Sequence, residues 1–287
     1  MKVSILIPVF EEAATVGELL DRVLSQPLDG CDKEIVIIES NSTDGSRRIV
    51  EQFVERLARL PRDSGTEVQL ILERRPLGKG HAIRRGLAAA RGDIVLIQDA
   101  DLEYEVTDYP ELLRPIVEGR TDFVLGSRHM GTRRWRVRQF GGSSLQALAM
   151  NLGGMLFHGF FNLVYGVRLT DPTTMFKVFR ADCLRGIDLR CDRFDFDFEL
   201  VGSLLRAGFA PLEVPVSYSS RGFEAGKKIR VLRDPWGWVL AILRCRLQTL
   251  TAETLRYRHP HRTSLPSRVS SPPDRSPRAA AYSRYPR

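Results

Sequence analysis

Gly92-Asp93-Ile94-Val95-Leu96-Ile97-Gln98-Asp99-Ala100-Asp101-Leu102-Glu103 is the stretch that decides the fold. Ile94 to Ile97 is a short run of branched apolar residues, the pattern of a strand buried on both faces of a parallel sheet. Asp99 and Asp101 follow where such a strand ends. In open α/β sheets, ligands bind beyond the carboxyl ends of the strands. Ala100 between them is small enough to let a ligand approach. Two carboxylates this close repel unless a cation stands beside them. Hard oxygen ligands suit Mg²⁺ or Mn²⁺ shared with substrate phosphates.

The same alternation extends in both directions. Val3 to Pro8 reads as a first strand that Pro8 ends, because proline cannot donate to the ladder. Ala13 to Ser25 has helical spacing, with Val16, Leu19, Leu20, Val23 and Leu24 on one face. Strands are expected at 34–38, 68–72 and 122–126, and helices from Ser42–Ser46 through Leu60, over 79–91 and over 108–118. Strand–helix alternation implies a parallel sheet with right-handed crossovers. Residues 1–130 thus read as a nucleotide-binding α/β half, and 131–255 as the acceptor- and membrane-facing half of the same domain.

From Gln139 to Val167 nothing is charged unless His158 protonates. Glycines and the polar Gln146, Asn151 and Asn162 interrupt the stretch, so a buried or membrane-surface helical pair is expected rather than a span. Pro235 to Leu250 sets Trp236 and Trp238 beside Arg244 and Arg246, which suits either a membrane interface or a helix capping the core.

The net charge of +8 is uneven: Arg256 to Arg287 holds eight Arg and one Asp, so about seven of those charges lie in this tail. The near-neutral body argues against a nucleic-acid channel. The tail, 256–287, is expected to be disordered; an anionic membrane surface would attract it, and nonspecific RNA contact or no role is equally compatible with its charge. Cys31, Cys183, Cys191 and Cys245 have no zinc spacing and read as reduced thiols. The N-terminus does not read as a signal peptide, so a cytoplasmic location is expected.

Six stretches in order then carry a resemblance: Ile7-Pro8-Val9-Phe10-Glu11-Glu12, Ile38 through Ser46, Leu77-Gly78-Lys79-Gly80-His81-Ala82, Gln98 through Glu103, Gly126-Ser127-Arg128 and Arg221 through Lys228. Together they resemble family-2 glycosyltransferases of the GT-A fold, nearest the branch of dolichyl- or polyprenyl-phosphate mannose and glucose synthases. The resemblance implies an α/β, Rossmann-like mixed sheet flanked by helices. It also implies a nucleoside-diphosphate sugar donor, a polyprenyl-phosphate acceptor, peripheral membrane contact and a divalent metal, Mg²⁺ or Mn²⁺.

By the same resemblance Asp99, Asp101 and Glu103 are the metal ligands. Pro8, Phe10, Glu12, Ile37, Glu39, Lys79, Asp99, Ala100, Asp101 and Arg128 contact the nucleotide sugar. Arg221, Lys227 and Lys228 bind donor or acceptor phosphates, and Asp101, Arg128 and Glu199 form the catalytic set. Glu39 stands where the family usually has an aspartate that reads the base, and Ser40 replaces a second acid, which leaves the nucleotide open. Asp195 is a possible helix N-cap. One acid of Asp195-Phe196-Asp197-Phe198-Glu199 serves as general base if the acceptor is a hydroxyl, whereas a phosphate acceptor needs none. A soluble acceptor and a non-catalytic nucleotide-sugar-binding protein are the competing readings.

Overall fold

The structure is a computed structural model and describes residues 1–59, 65–130, 144–220 and 234–247. Its strands are β1 (Lys2–Val9), β2 (Asp32–Glu39), β3 (Thr66–Leu72), β4 (Ile94–Ile97), β5 (Phe123–Ser127), β6 (Lys177–Arg180) and β7 (Leu212–Pro215). Its helices are α1 (Val16–Ser25), α2 (Ser46–Ala58), α3 (Lys79–Ala89), α4 (Tyr109–Val117), α5 (Ser144–Tyr165), α6 (Phe196–Arg206) and α7 (Asp234–Leu247). The strands form one sheet in the order β3-β2-β1-β4-β6-β5-β7.

The apolar runs behave as their pattern dictates. All four residues of β4 are buried, and β1 and β2 are buried along nearly their whole length. β1 pairs in parallel with β2 on one side and β4 on the other. The sheet is not parallel throughout, however. β6 lies between β4 and β5 and runs antiparallel to both. Strands from before and after residue 130 therefore share a single sheet.

Pro8 does not end β1; it pairs with Ile38 one rung before the strand stops. The β4 ladder has already finished at Leu6↔Ile97, so the missing N–H falls beyond the last rung on that side. Helix α1 starts at Val16 rather than Ala13. The N–H groups of Glu11, Glu12 and Ala13 instead go to the side chains of Ser42 (3.0 Å), Ser46 (2.7 Å) and Asp44 (2.9 Å). This staples the loop after β1 to the turn after β2.

The uncharged stretch holds one helix among the described residues, α5, rather than a pair. No described helix is long and apolar enough to cross a membrane. α5 packs on α7: Phe157 meets Trp238 edge-on at 5.3 Å, and Arg246 Nε donates to the Val164 carbonyl at 3.2 Å. The basic tail and Arg221, Lys227 and Lys228 lie outside the described residues.

One buried cation closes α1. Lys33, on β2, donates from Nζ to the carbonyls of Val23 (2.7 Å), Leu24 (2.8 Å) and Gln26 (2.6 Å). Helix C-termini leave such carbonyls without intrahelical partners. Burial pushes the Lys33 pKa down to about 8. Lys33→Ala is expected to cost about 1–3 kcal/mol in urea denaturation, because the carbonyls lose their donor where water is excluded.

Candidate active site

β1, β2, β3, β4 and β5 all point their carboxyl ends to one edge of the sheet, and antiparallel β6 begins there. The loops that leave this edge carry the polar residues of the site. Three non-glycine residues with positive φ occur among the described residues: Glu11 (51°), Asn41 (57°) and Leu102 (56°). They follow β1, β2 and β4 respectively, so the backbone strain is concentrated at this edge. Such residues cluster where surrounding structure over-determines them, at a cost of about 1–3 kcal/mol each.

The bend at Leu102 folds the acidic motif back on itself. The Glu103 N–H donates to Asp101 Oδ1 at 3.1 Å, and Tyr218 donates to Glu103 Oε2 at 2.8 Å. Asp101 and Glu103 are thus brought onto one turn. The Ala100 carbonyl accepts from Thr15 at 2.7 Å, which ties the motif to the start of α1. Gln98 is buried and takes the Tyr109 hydroxyl at 2.9 Å.

Asp99 has a different environment. Lys79 Nζ lies 2.7 Å from its carboxylate. Burial opposes charge on Lys79, but Asp99 and then Asp197 more than offset this and hold the ammonium above its usual range. The cation that the close aspartates require is therefore supplied in part by the chain itself. Gly78 and Gly80 place it. A β-carbon at Gly78 would strike the Asp192 carbonyl, and one at Gly80 the Cys191 carbonyl. These glycines are needed for close packing of the α3 N-terminus against 191–193, rather than for a mobile turn.

Arg128 is almost buried and grips Asp171: Nε to Oδ2 at 2.6 Å and Nη2 to Oδ1 at 2.7 Å. Its guanidinium lies 5.2 Å from the Tyr218 ring centroid and 6.0 Å from that of Tyr104. Burial alone would raise the Asp171 pKa; the Arg128 charge reverses this and holds the carboxyl well below its usual range. His129 and His158 complete a cluster with Asp171 whose nitrogen and oxygen atoms lie within 4.8 Å of one another. His158 Nε2 is 2.9 Å from the Thr173 hydroxyl. Both Asp171 oxygens already serve Arg128, so this cluster is a poorer match to a hard divalent cation than the Asp101–Glu103 turn.

Glu199 lies in the first turn of α6. Its carboxylate accepts the N–H groups of Arg190 (2.9 Å) and Cys191 (2.8 Å) and is buried. Asp197 of the same motif lies 2.8 Å from the fully buried Lys177 and close enough to Lys79 to favour its charge. Asp195 stands at the α6 N-cap, but its side chain takes the Arg193 N–H at 3.1 Å instead of capping the helix. Ile37 is wholly buried within β2, two residues before its end. Pro8 lies in the next-to-last rung of β1, Phe10 and Glu12 follow the strand at the edge, and Thr15 donates to Glu12 Oε2 at 3.2 Å. Glu39 ends β2 but is fully buried and holds the N–H groups of Asn41 (3.1 Å) and Ser42 (2.7 Å).

Sequence reading passed over Asp171, Lys177, Tyr104 and Tyr218. The acidic residue inside Thr170-Asp171-Pro172 and the charge opening β6 were the available signals.

Comparison with known proteins follows the same lines. The family model for glycosyl transferase family 2 matches residues 4–184. Glycosyltransferase AglJ of Haloferax volcanii is 25% identical over 233 residues, covering 81% of this chain and 68% of that protein. The dolichol-phosphate mannosyltransferase of Pyrococcus furiosus is 26% identical over 222 residues, covering 77% of this chain but 57% of its own length. The chain thus spans little more than half of that relative. A crystal structure of glucosyl-3-phosphoglycerate synthase from Mycobacterium tuberculosis, with Mn²⁺, UDP and phosphoglyceric acid, aligns with a TM-score of 0.61 at 18% identity, over 86% of this chain and 79% of that one. The mixed sheet, with its acidic turn at the carboxyl edge, is the expected GT-A arrangement, and the chain belongs to glycosyl transferase family 2.

Proposed function

We propose that this protein is a metal-dependent, inverting glycosyltransferase that moves a hexose from a nucleoside-diphosphate sugar to a polyprenyl phosphate at the cytoplasmic face of a membrane. The observation that carries this reading is the turn that brings Asp101 and Glu103 together at the carboxyl edge, beside the cations Lys79 and Arg128. Oxygen donors of this kind fit Mg²⁺ or Mn²⁺. Asp101 and Glu103 would hold the ion, which supplies charge neutralisation for the departing diphosphate. Asp99, paired with Lys79, lies alongside.

An oxygen of the acceptor phosphate attacks the anomeric carbon. The bond from that carbon to the donor diphosphate breaks, and the electron pair leaves with the nucleoside diphosphate. Attack from the face opposite the leaving group inverts the carbon. The acceptor oxygen is already anionic, so the clamping of Glu199 by backbone N–H groups is no obstacle. Arg221, Lys227 and Lys228 would supply positive charge to the donor or acceptor phosphates. The relatives support a lipid acceptor through their names, which include the dolichol-phosphate enzyme above and an undecaprenyl-phosphate transferase.

The helices support membrane contact. Leu152, Leu156 and Leu163 are exposed on α5, and Leu240, Leu243 and Leu247 on α7. Leucines at these spacings form an apolar stripe on each helix. Leu163 is 80% exposed and Leu240 66%, so polar substitutions there spare the core. The double variant Leu163→Asp/Leu240→Asp is expected to lose about tenfold or more in binding to anionic vesicles in a flotation assay, with its melting temperature unchanged.

The transfer itself is tested with purified protein, GDP- and UDP-sugars, Mg²⁺ or Mn²⁺, and a short polyprenyl phosphate. Sugar on the lipid phosphate, removed by chelator, is the expected result. Transfer only to a soluble hydroxyl would favour a second reading, in which Asp197, paired with Lys177, serves as the base.

A further inference from the structure

We infer that Glu73 selects the base of the donor nucleotide, and that this base carries a lactam N–H, as guanine and uracil do. The inference rests on the glycosyltransferase reading above and adds the residue and the chemistry of base choice. Glu73 follows β3, and its N–H donates to the Glu39 carbonyl at 2.8 Å. It therefore stands beside the end of β2, at the edge that the nucleotide would occupy.

The two acids of this corner have different occupations. Glu39 is the residue that the sequence pattern points to, yet its two oxygens are spent on its own turn through Asn41 and Ser42. Ser40 replaces an acid in the pattern, and its hydroxyl donates to Glu73 Oε2 at 2.8 Å. The acid missing at position 40 is thus delivered from the neighbouring strand, with Ser40 orienting it.

Glu73 is 8% exposed, and its other oxygen, Oε1, receives no hydrogen bond. A buried acceptor left without a donor costs about 1–3 kcal/mol, and a ligand N–H that reaches it recovers that cost. His81 Nε2 stands 3.2 Å from Oε1. A carboxylate oxygen and a ring nitrogen that can donate, side by side, complement an N–H next to a carbonyl. Guanine has that pair at N1–H and O6, and uracil at N3–H and an adjacent carbonyl. Adenine and cytosine place an acceptor nitrogen where the lactam has its N–H, which sets a lone pair against the carboxylate.

Isothermal titration of the full chain with GDP, UDP, CDP and ADP in Mn²⁺ tests this. The wild type is expected to bind GDP or UDP at least about tenfold tighter than CDP and ADP; the first two ligands separate the purine from the pyrimidine. Glu73→Gln offers a donor as well as an acceptor, so the preference should fall below about threefold, with its melting temperature retained. Ser40→Ala, which frees the carboxylate to turn, should give an intermediate loss. A wild type that prefers CDP or ADP, or a preference unchanged in Glu73→Gln, overturns the inference and leaves the transferase reading standing. Binding of none of the four diphosphates overturns both.

Discussion

Asp101→Ala should lower glycosyl transfer by about a thousandfold or more while leaving the melting temperature within a few degrees of the wild type. Asp101 lies on a turn outside the sheet, and among the described hydrogen bonds its side chain takes the Glu103 N–H, a local contact. Removing it takes a hard anionic ligand from the ion that neutralises the leaving diphosphate. Transfer measured with saturating donor, across a titration of Mn²⁺, is the check. A raised metal requirement with some rescue at high Mn²⁺ would point to weakened ion binding. Full activity at ordinary metal concentration would remove Asp101 from the mechanism. Asp99 cannot be read as simply, because its loss would also strand the half-buried ammonium of Lys79.

Asp171→Ala is expected to be the most destabilising of these changes, by about 3–5 kcal/mol. The carboxylate is fully buried and pairs with a guanidinium that is itself almost fully enclosed. Breaking such a pair leaves an uncompensated charge where water cannot reach it. The pH dependence follows from the depressed Asp171 pKa. The unfolded chain takes up its proton first, near the ordinary aspartate value of about 3.9. The stabilisation is therefore complete above that pH and is lost as pH falls from there toward the lower folded value. Denaturant titrations at pH 7, 5, 4 and 3 should show the wild type losing more stability on the acid side than Asp171→Ala. Parallel losses in the two proteins would mean that Asp171 does not titrate as the ion pair requires.

The edge carrying the metal turn was legible because its signals are local. Ile94 to Ile97 is apolar on every residue, and Asp99, Asp101 and Glu103 follow within a few positions. β6 was not legible. Lys177-Val178-Phe179-Arg180 is short, begins and ends on a cation, and carries no strand pattern of its own. Its strand character comes from filling the gap between β4 and β5, which lie far from it in the chain. The roles of the charged residues divide in the same way. Glu39 and Glu199 sit in motifs that point to chemistry, but in the fold both carboxylates hold nearby backbone N–H groups. Asp171 and Lys177 carried no comparable signal and became the buried partners of Arg128 and Asp197.

Strand and helix order as far as β5, the acids that follow β4 and the family were thus written in the chain, since periodicity and turn chemistry act between residues a few positions apart. The antiparallel insertion, the pairing of Lys79 with Asp99 and of Arg128 with Asp171, and the exposure of leucines on α5 and α7 were settled by packing. Those contacts join residues 20 or more positions apart, or depend on which helix face the rest of the molecule covers. A buried charge takes whichever counter-charge the fold brings within reach, and no local pattern names that partner.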